Sequence, residues 1–182
     1  SEVVTNVDPK KILEIGYLPN LKSEKVKSLV SEVIIEKDVS VITSLISESR
    51  APMKGHLVKS VMEMDNVGGK KVGILNCLTE GDWETAMDEI QRREVPDIIA
   101  IGNLDSLNSE KVKALAKVVI EKAEVSEIDL RSQNNGENSI ENGESSNIVK
   151  LINESADPMK GHLVEVVIEM EPARKVEILN NL

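Results

Sequence analysis

The heptapeptide PMKGHLV occurs twice in the chain, at 52–58 and again at 158–164. Around the two heptapeptides, 14 of the 20 residue pairs between 45–64 and 151–170 are identical. Two unrelated segments of 20 residues would not be identical at 14 positions. The chain is therefore a tandem duplication, and any fold for it has to accommodate two similar halves.

A second match lies upstream, where 16 of the 31 residue pairs between 12–42 and 98–128 are identical. This match extends the duplication over most of the chain. We interpret residues 1–182 as one repeat domain, with the first copy at 8–95 and the second copy at 96–182. Stacked repeats of this kind bury their apolar faces against their neighbours.

The second copy contains an insertion, residues 129–148, that has no counterpart in the first copy. It is rich in Asn, Ser, Gly and Glu and poor in apolar side chains. Segments of that composition cannot bury enough apolar surface to fold by themselves. We predict an exposed, flexible, acidic loop here.

The apolar spacing within each copy predicts helices. Between residues 26 and 34, apolar residues recur at i, i+3, i+4, i+7 and i+8, which places them on one face of a helix. A finer repeat of roughly 29 residues combines a short segment with a longer amphipathic helix. Its recurring isoleucines are Ile15, Ile42, Ile74, Ile101, Ile148 and Ile178.

The chain resembles the HEAT and armadillo class of stacked helix pairs, and the resemblance is one of architecture only, without a specific motif. It implies an all-α, tandemly duplicated helical-repeat solenoid. The alternative is an α/β solenoid similar to leucine-rich repeats, because residues 125–130 (VSEIDL) fit the pattern LxxLxL. Against that alternative, the position two residues after the recurring isoleucine is mostly polar, whereas a strand would place an apolar residue there.

The composition argues against several classes of partner. The formal net charge of −10 disfavours nucleic acid and anionic lipid. No apolar run reaches the roughly 20 residues that a membrane span requires. A single cysteine, Cys77, excludes an internal disulfide framework, so we expect a cytoplasmic protein. The positions that correspond to Cys77 in the finer repeat are leucines, which predicts that Cys77 is a core residue.

Five residues are candidates for binding a partner: Trp83, His56, His162, Lys54 and Lys160. The histidines and lysines come from the duplicated heptapeptide, and Trp83 is the only tryptophan, a residue type enriched in binding hot spots. The heptapeptide glycines at 55 and 161 would permit close helix approach or a bent first turn. We predict no metal, no cofactor and no catalytic residues, because the metal-binding and nucleophile motifs are absent.

These observations favour a non-enzymatic interaction module, a scaffold or adaptor whose partner is a basic protein or peptide. The alternative is an acidic regulatory protein that mimics nucleic acid on a basic partner. The two hypotheses differ in their surfaces. A mimic needs carboxylates in a regular row, whereas a scaffold needs an apolar or mixed groove.

Overall fold

A computed structural model describes residues 8–18, 21–133 and 147–182. The chain divides into two compact units, unit 1 at Ser1–Arg92 and unit 2 at Arg93–Leu182. Each unit is described by itself below. The interpretation of 1–182 as one domain stays a prediction.

Unit 1 contains six α-helices and one short 3₁₀ turn within its described residues. In chain order the elements are α1 (Pro9–Gly16), α2 (Ser23–Glu36), α3 (Val39–Glu48), α4 (Met53–Glu63), η1 (Val67–Gly69), α5 (Lys70–Cys77) and α6 (Glu80–Ile90). Short helices alternate with longer ones from α1 to α6. The heptapeptide PMKGHLV forms the start of α4.

Unit 2 contains five α-helices within its described residues. They are α7 (Val95–Gly102), α8 (Ser109–Gln133), α9 (Asn147–Glu154), α10 (Met159–Glu169) and α11 (Pro172–Leu179). The first four correspond in sequence to α1–α4 of unit 1, and α11 corresponds to α5. The second heptapeptide forms the start of α10, and no described helix of unit 2 corresponds to α6.

Several helices begin with residues that favour a helix start. The Asp8 side chain accepts a hydrogen bond from the Lys10 backbone N–H at 3.0 Å, and Pro9 occupies the first helical position of α1. Proline also occupies the first turn of α7 and of α11. Proline suits this position because the first helical N–H groups have no partner within the helix.

The helices of unit 1 pack in succession. Helix α2 packs against α4, and α4 packs against α6. The short helix α3 packs against α4 and α5, and α1 packs against α2. The apolar face of α4 is buried as the spacing predicts, at Met53, Leu57, Val58, Val61 and Met62.

Unit 2 repeats part of this arrangement. Helix α8 packs against α7, α9 and α10, and α10 packs against α9 and α11. Two close contacts recur at equivalent positions in the two units. A Cβ atom added to Gly16 would overlap the methyl group of Met53, and a Cβ added to Gly102 would overlap that of Met159. The methionine of each heptapeptide therefore packs over the glycine that ends the first helix of its unit, α1 or α7.

The all-α prediction is confirmed for the described residues, which form helices and no strand. The alternative similar to leucine-rich repeats is wrong, because the short elements are helices and residues 125–130 lie within α8. The predicted loop at 129–148 is wrong at its two ends, which belong to α8 and α9. Its remaining residues, 134–146, lie outside the described part of the chain. Among the described helices, none has both the length and the apolarity that crossing a bilayer requires.

Candidate functional site

The histidines of the duplicated heptapeptide lie in the first turns of α4 and α10, and both are partly buried. The neighbouring glycines do not have the packing role that we considered. A Cβ atom added to Gly55 or Gly161 meets nothing within 4 Å, so close helix approach at these glycines is wrong. The identity of the two heptapeptides therefore does not come from glycine packing.

His162 takes part in a short chain of hydrogen bonds in unit 2. Its Nε2 atom lies 3.1 Å from the Ser109 Oγ, and its Nδ1 atom lies 3.0 Å from a carboxylate oxygen of Glu165. Serine, histidine and acid stand here in the order of a catalytic triad. A catalytic serine also needs free donors for an oxyanion. The Glu110 amide next to Ser109 already donates to the Asn108 side chain at 2.9 Å, so it is not a free donor for that purpose.

The corresponding residues in unit 1 do not repeat this chain. His56 aligns with His162, but Lys59 stands where unit 2 has Glu165. The hydrogen bonds of His162 orient its ring and connect α8 to α10, and this is the role that the geometry supports. Among the described residues, no cluster of three or more His, Cys, Asp or Glu side chains could hold a metal ion.

Lys54 of the first heptapeptide forms an ion pair with Asp82 of α6. The Lys54 Nζ lies 2.5 Å from an Asp82 carboxylate oxygen, and the two side chains are 22% and 4% exposed. The Thr79 hydroxyl donates to the other Asp82 oxygen at 2.7 Å and accepts from the Asp82 backbone N–H at 3.3 Å. Thr79 and Asp82 thus stand at the spacing of a capping box at the start of α6.

The environment of Asp82 favours its charged form. Burial is the largest single effect and acts to raise its pKa, but the hydrogen bonds from Lys54 and Thr79 act in the opposite direction. The net result is a pKa below the ordinary aspartate value of 3.8. A buried carboxylate that is paired in this way ties α6 to α4.

Lys160 is the counterpart of Lys54 in the second heptapeptide, and its surroundings differ. It is partly buried, and it has no carboxylate partner among the described side chains. Unit 2 has no described equivalent of α6 that could supply one. The two lysines therefore differ in pairing although their heptapeptides are identical. Lys54 pairs with a carboxylate, and Lys160 has no carboxylate partner among the described residues.

Trp83 is half-buried on α6, whereas its neighbour Asp82 is buried at 3% exposure. The buried positions of α6 are Asp82, Ala86 and Ile90. Sequence reasoning missed Asp82, because a carboxylate was expected on the polar side of the helix. The spacing Thr79-x-x-Asp82, which is typical of a capping box, is the signal that could have identified it.

Cys77 is exposed, so the prediction of a core cysteine is wrong. Helix α5 ends at Cys77, and the chain then leaves the helix so that Leu78 is the buried residue at 7% exposure. The end of the helix therefore directs Leu78 inward and Cys77 outward.

A groove of about 580 Å³ lies between α2, α4 and the turn that follows α4. Its lining includes Ile34 and Ile35 of α2, Ser60 and Glu63 of α4, and Asp65 and Val67 of the turn. Ile35 and Val67 are 70% and 77% exposed, so two apolar side chains that line the groove are open to contact from outside. Sequence reasoning did not identify this groove.

Two of the three charged groups of the groove already have partners within unit 1. The Lys70 Nζ donates to the backbone carbonyls of Ile34 and Ile35 at 2.8 and 2.9 Å, so it caps the end of α2. Glu63 pairs with Lys27 at 3.2 Å. Asp65 has no ion pair with any described lysine or arginine, and its carboxylate is open to a cation from outside.

Unit 2 has different residues at the positions of this groove. Glu121 stands where unit 1 has Ile35, and Lys117 stands where unit 1 has Ser31. Glu169, the counterpart of Glu63, lies 2.6 Å from Lys113 and 3.8 Å from Lys117. The hydrogen bond with Lys113 lowers the pKa of Glu169 and raises that of the lysine. The exposed isoleucine at the groove is thus a feature of unit 1, since unit 2 has a glutamate at this position.

Comparison with protein-family models, curated proteins and solved structures gives no match for this chain.

Proposed function

We propose that the chain is a non-enzymatic protein-interaction module and that its unit 1 groove binds a basic peptide segment carrying an apolar side chain. The observation that carries this proposal is the groove of about 580 Å³ with exposed Ile35 and Val67 beside Asp65, which has no ion pair among the described residues. A volume of this size lies in the range of pockets that hold a drug-sized ligand, so it can accommodate side chains of a bound peptide. An apolar anchor surrounded by polar groups is the usual arrangement of a peptide-binding surface.

The proposed architecture is a helical-repeat solenoid of the HEAT and armadillo type. It is supported by the packing of the longer helices in succession, α2 on α4 and α4 on α6, with the short helices α3 and α5 packed together. Repeats stacked in this way present extended surfaces on which other proteins bind.

The charge of the chain indicates which peptide would bind. The whole chain has a formal net charge of −10, which attracts a basic partner over long distances. At the groove, Asp65 supplies the carboxylate for a lysine or arginine, and Ile35 and Val67 supply contacts for an aliphatic side chain. Lys70 does not offset this preference, because its ammonium group is used by the carbonyls of α2.

Nucleic-acid mimicry on a basic partner is the second candidate, and the net charge favours it equally. The groove distinguishes the two candidates, because a mimic gains nothing from exposed isoleucine and valine side chains. Several described carboxylates are also paired with lysines inside their own unit, Glu63, Asp82 and Glu169 among them. The interaction module is therefore the better supported function.

The test uses a fluorescein-labelled twelve-residue peptide of alternating Lys and Leu, and a second peptide in which Ser replaces every Leu. Binding to the full chain is measured by fluorescence anisotropy. We expect the Leu peptide to bind more tightly, and Ile35→Glu to weaken its binding about ten-fold or more, since the change places a charged, hydrated group where the leucine contact is apolar. The substituted residue already stands at position 121 of unit 2, so the helix can accommodate it.

The matched control is Leu18→Glu, which makes the same change of charge at a 57% exposed residue of unit 1 that does not line the groove. A negative charge at Ile35 would by itself attract a basic peptide more strongly. Weaker binding after Ile35→Glu therefore reports the apolar contact. Equal binding of the Leu and Ser peptides, with no effect of Ile35→Glu, would contradict the groove and favour mimicry.

A further inference from the structure

Helices α4 and α6 of unit 1 pack together, and on each helix a stripe of side chains with the same spacing begins at a residue of the Lys54–Asp82 ion pair. On α4 the stripe is Lys54, Val58 and Met62, which are separated by four residues each and so lie on one face of the helix. On α6 the buried residues Asp82, Ala86 and Ile90 have the same spacing. The ion pair between Lys54 and Asp82 joins the first turns of the two helices, so both helices start at the same end of the contact.

Helix α10 of unit 2 has the equivalent stripe without the equivalent neighbour. Its members are Lys160, Val164 and Ile168, and the first two are identical to their counterparts in α4. Met62 is 3% exposed in unit 1, whereas its counterpart Ile168 is 53% exposed. Val58 is 1% exposed, and its counterpart Val164 is only partly buried.

Apolar side chains of the next helix, α11, and of the residues after it are also more exposed than their counterparts in unit 1. Residues 174–182 (RKVEILNNL) match 70–78 (KKVGILNCL) at six of nine positions, including all the apolar ones except the cysteine. Val72, Leu75 and Leu78 of unit 1 are buried at 4%, 0% and 7% exposure. Their identical counterparts Val176, Leu179 and Leu182 are 56%, 41% and 46% exposed.

We propose that this surface, the end face formed by Lys160, Val164 and Ile168 of α10 with Val176, Leu179 and Leu182, binds an amphipathic helix from outside residues 1–182. The bound helix has a carboxylate in its first turn, a small residue four positions later and a larger apolar residue four positions after that. Its carboxylate pairs with Lys160, and its apolar residues cover Val164 and Ile168. This surface is distinct from the groove of unit 1 and does not depend on it.

The chemistry of the occupant follows from unit 1, where the same lysine pairs with a helix of that description and the same valine, on the same face of α4, is buried. Lys160 excludes the basic peptide proposed for the groove, because two ammonium groups would repel each other at the end face. Helix α6 of a second copy has the right residues, but it is held in its own unit by the buried Asp82. Releasing it would leave a buried charge without a partner, which is costly.

The probe is a capped, fluorescein-labelled peptide with the sequence of residues 79–92, which contains α6. Added to the full chain, it should bind saturably. The variant Lys160→Glu should weaken binding about ten-fold or more, because it opposes two carboxylates. A peptide carrying Asp82→Lys should recover affinity for that variant. The control variant Lys150→Glu changes the net charge equally at an exposed lysine of α9 and should leave binding unchanged.

A short peptide is poorly helical by itself, so a second measurement supplies the same helix at high local concentration. Residues 79–92 are joined directly after Leu182, as they follow Leu78 in unit 1. Amide hydrogen exchange in α10 should slow about ten-fold or more, and Lys160→Glu should abolish the protection.

Three results would overturn the proposal. One is the absence of both peptide binding and exchange protection, and another is equal weakening by Lys160→Glu and Lys150→Glu. The third is a dimer of the chain alone, seen by sedimentation and lost in Lys160→Glu, which would assign the end face to α6 of a second copy. Ile35→Glu should not affect this peptide, so a failure of the groove is distinguishable from a failure of the end face.

Discussion

Replacing Lys54 with methionine tests the central electrostatic contact of unit 1. Methionine keeps most of the apolar stem of the lysine and removes the ammonium group. The Asp82 carboxylate would then remain buried at 4% exposure with only the Thr79 hydroxyl as a partner. Breaking a buried ion pair from one side costs roughly 3–5 kcal/mol. We expect the lower end, about 3 kcal/mol, because the threonine hydrogen bond remains and the carboxyl group can take up a proton.

The matched variant is Lys160→Met, in a heptapeptide of identical sequence. Lys160 has no carboxylate partner among the described residues, so its replacement should change the free energy of unfolding by no more than about 0.5 kcal/mol. The difference between the two variants therefore isolates the contribution of Asp82. Local sequence, helix position and side-chain volume are the same in both.

Urea unfolding measures the effect, with tryptophan fluorescence for unit 1 and circular dichroism for both units. Trp83 is the only tryptophan of the chain and lies next to Asp82 on α6. With a slope of roughly 1.5 kcal/mol per molar urea, a loss of about 3 kcal/mol lowers the fluorescence midpoint by about 2 M. Lys160→Met should leave that midpoint in place.

Equal midpoints for Lys54→Met and Lys160→Met would refute the reasoning. The double variant Lys54→Met with Asp82→Leu provides a further check. It removes both charges from the contact, and buried ion pairs can often be replaced by apolar residues without loss of stability. Stability of the double variant should therefore exceed that of Lys54→Met. If it does not, the cost of Lys54→Met has another origin.

Two further predictions concern pH and the heptapeptide glycines. The pKa of Asp82 is lowered in the folded state, so its contribution to stability is complete above the ordinary value of 3.8 and is lost as the pH falls through the folded-state pKa. In Lys54→Met the effect of burial prevails and raises this pKa, so an acid titration followed by Trp83 fluorescence should show the variant gaining stability as the pH falls toward 4. Gly55→Ala and Gly161→Ala should each raise the free energy of unfolding by about 0.5–1 kcal/mol, because alanine favours the helix and its Cβ would meet nothing within 4 Å. Thermal unfolding checks this, and a loss of stability in either variant would contradict it.

The helices and their buried faces could be predicted from the sequence because apolar spacing records both. Helix α4 is the clearest example, since all five apolar residues with helical spacing, from Met53 to Met62, are buried, and Ser60 is the one polar residue buried with them. The spacing also separates helix from strand in the short elements, where the position two residues after the recurring isoleucine is polar. Apolar spacing is therefore sufficient to predict which face of a helix is buried when the buried residues are apolar.

Asp82 could not be predicted from apolar spacing, because that criterion assigns carboxylates to the solvent side. Its burial depends on a lysine 28 residues earlier in the chain and on a threonine that caps the same helix. Cys77 illustrates a different limit. Its position in the finer repeat indicates a core residue, but the end of α5 at that residue decides the direction of the side chain.

The groove could not be predicted, because its concave shape depends on how α2, α4 and the turn after α4 are placed relative to one another. Ile35 is exposed at 70% because the chain after Met64 turns beside it without covering it. The sequence near Ile35 continues the apolar character of α2, so it gives no sign that a surface opens there. Only the difference from Glu121, the counterpart in unit 2, distinguishes the position.

The two heptapeptides provide a comparison in which sequence is held constant and surroundings vary. Their shared methionine has the same role in both units, because Met53 packs over Gly16 and Met159 packs over Gly102. Their shared lysine does not, because Lys54 has Asp82 and Lys160 has no described partner. A property that is common to both units can therefore follow from the heptapeptide itself. A property that differs must come from outside it, and α6 is the helix that unit 1 has at this position and the described part of unit 2 lacks.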